Sequence, residues 1–272
     1  MRRASWRVAV LVLALGASGR LEAQRGRGGG PPAPAPLPRA AAPIDLTGYW
    51  VSIVTQDWRW RMVTPAKGDY AGIPLTDEAR KVADGWDPAA DDAAGEQCRS
   101  YGAPALMSVP GRLRIAWEDD RTLRVDTDAG MQTRLLHFGG RQVPSDAART
   151  WQGVSVAEWQ TPRANVPLIL RPAERTAGDD LLSRPRGGSL RVVTTGLRPG
   201  YLRKNGVPYS ADAVLTEYWD VFQYADGDRW LTITTQVEDP LYLRQPRLIA
   251  LPFRQEPDAA AWDPTPCSAR QP

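Results

Sequence analysis

The stretch Arg112-Leu113-Arg114-Ile115-Ala116-Trp117-Glu118-Asp119-Asp120-Arg121-Thr122-Leu123-Arg124-Val125-Asp126 decides the fold. Leu113, Ile115 and Trp117 alternate with Arg112, Arg114 and Glu118, the two-residue period of a half-buried strand. Asp119-Asp120 supplies a turn, and the alternation resumes with Leu123 and Val125 on one side. Two such runs joined by a short polar turn read as a β-hairpin. Working outward, the same pattern places strands at Tyr49–Thr55, Gln132–Phe138, Trp151–Gln160, Ser189–Thr195, Ala213–Gln223, Arg229–Val237 and Leu241–Leu251. Helix signals gather once, over Thr76–Trp86. Thr76 suits the N-cap, Asp77 and Glu78 the positive end, Lys81 the other end, and Gly85 the stop. Asp87–Glu96 then reads as an acidic loop. The expectation is an all-β chain of roughly nine strands with one short helix: an antiparallel up-and-down barrel, with a β-sandwich as the alternative.

The 272-residue chain carries a net charge of +3, but the excess is local. Residues 1–43 hold seven Arg against one acid, which leaves the remainder at −3. A nucleic-acid partner is not expected of a mildly acidic folded part. Arg2, Arg3 and Arg7 precede the ten-residue apolar run Val8–Ala17, and small residues lead to Ala23. This is the layout of a Sec-type secretory signal on residues 1–23, cleaved after Ala23, with a periplasmic or secreted product. The run is about half the length of a membrane span. Residues 24–43, dominated by Gly and Pro, read as a disordered linker. Residues 44–272 read as a single β domain, interrupted by a long insert loop at 161–187 that carries four Pro and suits a lid or a surface loop. The only two cysteines, Cys98 and Cys267, would meet in an oxidising compartment; a disulfide is expected, and two unlinked buried thiols are the alternative.

Gly48-Tyr49-Trp50, at the entry of the first strand, resembles the G-x-W that opens lipocalin-like barrels, where the Trp packs across the closed end. A second resemblance covers most of the chain after the linker. Leu46 to Trp50, Cys98 with Gly102, Pro104 and Met107, Trp151 with Gly153, Ser155 and Trp159, Gly206 with Pro208 and Ser210, then Thr216-Glu217, Asp239-Pro240 and Cys267 are similar to the motifs of a widespread family of exported bacterial β-rich proteins. Members often carry His where this chain has Tyr209, and His-Glu where it has Ser268-Ala269. The resemblance implies export and β architecture and no assigned activity.

Candidate chemistry is sparse. One His excludes a multi-His metal centre within the chain, and no cofactor motif is read. Gly153-Val154-Ser155 superficially resembles a nucleophile elbow, but the context is extended and His137 is the single available imidazole. Asp87, Asp91, Asp92 and Glu96 lack the spacing of a calcium loop. Glu217, Glu158 and Asp220 are the candidate catalytic carboxylates. Glu217 and Asp220 face opposite sides of a regular strand, so each would need a partner from a neighbour. The plainer expectation for Glu217 is an ion pair with an Arg. Trp is unusually frequent, and Trp58-Arg59-Trp60-Arg61 would split its rings and charges between two faces if extended. Trp117, Trp159, Tyr218, Trp219 and Trp230, with Glu217, are expected to line a pocket for a small apolar molecule. The alternatives are a barrel enzyme using a buried carboxylic acid for cyclisation, hydration or isomerisation, and a carbohydrate- or envelope-binding module with exposed Trp.

Overall fold

A computed structural model describes residues 36–140, 148–161 and 187–270. The signal, the first part of the linker and nearly all of the insert loop lie outside them. In chain order the strands are β1 (Gly48–Ser52), β2 (Arg112–Trp117), β3 (Thr122–Thr127), β4 (Thr133–Phe138), β5 (Val154–Gln160), β6 (Ser189–Thr195), β7 (Gly200–Arg203), β8 (Val207–Tyr209), β9 (Val214–Gln223), β10 (Arg229–Glu238) and β11 (Arg247–Glu256). Nine of them close into a barrel in the order β1-β11-β10-β9-β6-β5-β4-β3-β2, while β7 and β8 pair separately. The chain is therefore an all-β barrel and not a sandwich.

The barrel is not wholly antiparallel, because β4 and β5 run parallel. A ring with an odd number of strands cannot alternate direction all the way round, so one neighbouring pair must agree. Parallel neighbours need a crossover of about a dozen or more residues, which 139–153 supplies.

Alternation sends Leu113, Ile115, Leu123, Val125, Leu190, Val192, Leu231, Ile233, Leu251 and Phe253 into one shared core. Trp50 and Trp219 are fully buried within it. The Trp50 indole N–H donates to the Leu46 carbonyl at 2.9 Å. Trp117, Phe138 and Trp159 pack together at one end, with ring centroids 5.3–6.4 Å apart. Over them lies the end of the expected linker. The Trp159 indole N–H donates to the Pro38 carbonyl at 2.8 Å, and the Arg39 N–H to the Asp120 carbonyl at 3.1 Å. Residues 36–43 are thus part of the folded unit, because an aromatic N–H and a turn carbonyl give this stretch partners.

The other end is capped. Between β1 and β2 the chain forms α1 (Trp58–Arg61), α2 (Asp77–Asp84), α3 (Pro88–Ala93), a 3₁₀ turn (Arg99–Tyr101) and α4 (Ala103–Leu106). Four short helices stand where one was expected. The Thr76 hydroxyl accepts the Ala79 N–H at 3.1 Å, as the capping signal implies. Asp87–Glu96 is mostly helix rather than loop: the Asp87 carboxylate accepts the Ala89 N–H at 2.9 Å and Pro88 opens the first turn. The last strand begins at Arg247, not at Leu241. Asp239 turns the chain there, its carbonyl accepting the N–H groups of Tyr242 and Leu243, and Leu243 joins the cap. The Asp239 carboxylate also takes the backbone N–H and the hydroxyl of Ser210, tying the loop after β8 to the loop after β10.

The β7–β8 hairpin packs on α2, with Leu202, Val207 and Tyr209 in one cluster with Ala79 and Ala83 of the helix and Leu75 ahead of it. Its turn depends on Gly206, which has φ +84° and lies where any Cβ would collide with the Trp86 side chain. A disulfide joins Cys98, ahead of the 3₁₀ turn, to Cys267 on the tail that follows β11. No helix among the described residues is long and apolar enough to cross a membrane.

Candidate functional site

The residues expected to line one pocket are not brought together. Glu217, Trp219, Trp117 and Trp159 project inward, whereas Tyr218 and Trp230 belong to the opposite face of the sheet. Strand parity dictates this: Tyr218 sits between two inward neighbours on β9, and Trp230 precedes inward Leu231 on β10. Glu217 is fully buried, and both of its oxygens are held by the Arg134 guanidinium, at 3.0 and 2.6 Å. Arg134 also donates to the hydroxyls of Ser155 and Thr194. The plainer expectation for Glu217 is the observed one. Glu158 is on the outer face, paired with Arg191 at 2.9 Å. Asp220 is half-buried on the same face, and burial pushes its carboxyl up. The three carboxylates therefore form no acid–base pair with one another. Ser155 points into the lumen and His137 out of it, so they make no nucleophile–base pair.

The best-built site lies elsewhere, in a cleft of about 40 Å³ at the capped end. Its walls come from α1, the 3₁₀ turn, the segment around α4, the β7–β8 turn and the first residue of β11. Four cations line it: Arg61, Arg203, Lys204 and Arg247. All four residues are buried. Asp57 is the one carboxylate among the described lining residues, and it reaches Arg247 only at 3.6 Å. Trp60, Val63, Val109 and Leu202 supply apolar wall.

Each cation is placed by local structure. Trp58-Arg59-Trp60-Arg61 is helical, not extended, because the Asp57 carbonyl accepts the N–H groups of Trp60 and Arg61 at 2.8 and 3.0 Å. Asp57 itself takes a left-handed backbone, φ 52°, uncommon for a residue with a side chain. The turn leaves Trp58 exposed and aims Arg61 inward, where its Nε donates to the Ser108 carbonyl at 2.7 Å. Arg203 and Lys204 sit at the β7–β8 turn. Asn205 anchors that turn by donating to the carbonyls of Ala66 and Asp69 at 3.0 and 2.9 Å. Arg203 donates to the Ala71 carbonyl and stacks 4.8 Å from the Trp60 ring centre. Lys204 Nζ donates to the Tyr101 hydroxyl at 2.7 Å.

Crowding cations away from water is costly. Burial pulls Arg61 and Arg203 down to about 10 and Lys204 down to about 8. Burial also lowers Arg247, which in turn lowers both Arg61 and Arg203 by repulsion. Two guanidinium groups remain incompletely used: Arg61 Nη2 and Arg247 Nη1 are buried with no hydrogen-bond partner among the described residues. Buried donors normally find partners, so two unpartnered guanidinium nitrogens on residues that line one cleft are a feature needing an acceptor. The room suits about three water-sized groups, the bulk of a carboxylate or phosphate head.

Sequence reasoning reached the Arg61 segment but not its helical geometry. Arg203, Lys204 and Arg247 escaped it because their convergence depends on the hairpin and on where β11 starts. Among the described residues no cluster of three or more His, Cys, Asp or Glu is placed to hold a metal. Comparison with family models, curated proteins and solved structures gives no match for this chain.

Proposed function

We propose that this is an exported barrel protein that binds a small amphipathic molecule by its anionic head, in the cationic cleft at the capped end. The observation that carries the reading is that Arg61 and Arg247 both line a head-sized cleft while each keeps a buried guanidinium nitrogen, Nη2 and Nη1, without a partner among the described residues. An oxyanion there gains charge-assisted hydrogen bonds in a low-dielectric wall and relieves repulsion among the cations. Trp60, Val63, Val109 and Leu202 line the same cleft and suit the apolar part of such a ligand. The expected ligand keeps its apolar body and gains a charged end.

Export rests on the basic–apolar–small layout of residues 1–23, and a disulfide joining distant segments suits an oxidising compartment. The lipocalin-like reading rests on Gly48-Tyr49-Trp50, with Trp50 fully buried in the barrel. Trp58 is the one exposed Trp among the described residues, which leaves the carbohydrate-platform reading without a coplanar pair.

Titration of a short-chain carboxylate or phosphate monoester, read by Trp fluorescence, tests the proposal against the uncharged ester of equal length. Charge-assisted hydrogen bonds of about 1.5–3 kcal/mol predict binding of the anion roughly 10- to 100-fold tighter, and loss of that preference in Arg247→Met. Equal binding of ester and acid, or a preference that survives Arg247→Met, refutes it.

A further inference from the structure

Lys204 is unusual even within its cluster. The chain has three lysines, and Lys67 and Lys81 are both exposed. Lys204 is buried in the cleft wall and keeps its Nζ on the Tyr101 hydroxyl and 4.5 Å from the centre of that ring. The Tyr101 oxygen accepts from Lys204 Nζ and from the Ser268 backbone N–H at 3.3 Å. With two bonds accepted, its own O–H remains as a donor. Lys204 thus links the Tyr101 hydroxyl to a cleft whose wall also holds Arg61 and Arg247. Resting on the anion reading above, the geometry points to a reactive amine: we propose that Lys204 forms an imine with a small 2-oxo acid whose carboxylate is held by Arg61 and Arg247.

The shared wall selects the class. Lys204, Arg61 and Arg247 all line one cleft, which suits a ligand whose carbonyl carbon is bonded directly to its carboxylate carbon. The neutral amine attacks that carbon, and the carbonyl electron pair moves to oxygen. The oxygen is protonated from Tyr101, and the nitrogen gives up a proton to the resulting tyrosinate, leaving a neutral carbinolamine. Loss of its hydroxyl as water, with the second nitrogen proton, leaves the imine; nothing is oxidised or reduced. Lysines activated in this way are desolvated or lie beside another cation, and Lys204 meets the first condition while lining a cleft with three guanidinium groups. Burial lowers its affinity for a proton to about 8, so a useful fraction is neutral near physiological pH.

The test is reductive trapping. The purified protein is treated with pyruvate and cyanoborohydride, and the modified lysine is located by peptide mass spectrometry. The proposal predicts a single N-carboxyethyl group, on Lys204, competed out by lactate, which has the carboxylate but no carbonyl. Acetone, a carbonyl without a carboxylate, should label at least tenfold more slowly. Lys204→Met should lose the label, and Arg61→Gln should slow it. Labelling spread over Lys67 and Lys81 at equal rates overturns the proposal. So does an unlabelled Lys204 in a protein that still binds lactate by calorimetry, an outcome that spares the anion reading. Failure of both pyruvate and lactate to bind defeats the two together.

Discussion

Glu217→Gln isolates the charge held inside the barrel. The substitution keeps the shape and one acceptor oxygen but strands Arg134, a fully buried guanidinium whose Nε already has no partner among the described residues. Breaking a buried pair by neutralising one member costs about 3–5 kcal/mol, because the remaining charge stays desolvated. In a domain of this size each kcal/mol lowers the melting temperature by about 2–4 °C, so the expected drop is of order 10 °C. Urea unfolding under non-reducing conditions should show the loss as a lower midpoint at constant slope. The double variant Arg134→Met with Glu217→Met should recover most of it, since buried ion pairs are often replaceable by apolar groups at little cost. A Glu217→Gln protein within 1 kcal/mol of the parent, or a double variant worse than the single, would refute the reasoning. The same variant should leave anion binding at the cap unchanged within about threefold, because distant sites add independently.

Lys204 should impose a pH dependence on stability. The folded protein releases this proton near pH 8 and the unfolded chain keeps it to about 10.5, so between those values the unfolded state binds more protons and stability rises with pH. Lys204→Met should flatten that rise in urea titrations, and should be the more stable protein at pH 7 by up to about 3 kcal/mol; a parent profile that is flat from pH 7 to 10 contradicts this. Anion affinity should weaken as pH passes 8, as Lys204 discharges while the guanidinium groups stay charged, and calorimetry across that range reads it. Denatured, unreduced protein should show no free thiol, and Cys98→Ala with Cys267→Ala should cost about 3–5 kcal/mol on the chain-entropy model. Gly206→Ala meets both a left-handed backbone and the Trp86 side chain, so a loss of more than 2 kcal/mol is expected in urea melts, with anion binding weakened through the displaced hairpin turn.

The barrel was legible because burial imposes a two-residue period. Leu113, Ile115, Leu123 and Val125 reveal their shared face without any knowledge of partners, and the nine barrel strands match the segments so identified, the last of them displaced. That displacement shows the limit. Leu241 and Leu243 look like strand residues, yet Asp239 turns the chain beneath them and Leu243 serves the cap. The pocket assignment met a different limit. Tyr218 and Trp219 are both large aromatics, but adjacent positions on one strand cannot share a lumen. The site itself was hidden. Arg61 lies well over a hundred residues before Lys204, Arg247 lies beyond two further barrel strands, and the three carry no local signature. They meet because the insertions after β1 and β6 emerge at the same barrel end, a consequence of strand direction that spacing alone does not reveal. Several residues of the family-like motifs hold that cap in place: Gly206 under Trp86, Ser210 on Asp239, and the Cys98–Cys267 bridge behind Tyr101.

A crystal structure with a bromine-labelled short-chain carboxylate tests the binding claim most directly, because anomalous scattering locates the apolar body independently of the head. The carboxylate oxygens should lie within about 3 Å of Arg61 Nη2 and Arg247 Nη1, with the bromine against Trp60 and Val63. Bromine found in the barrel lumen or beside Trp117 and Trp159, with nothing bridging the two guanidinium groups, would contradict the account.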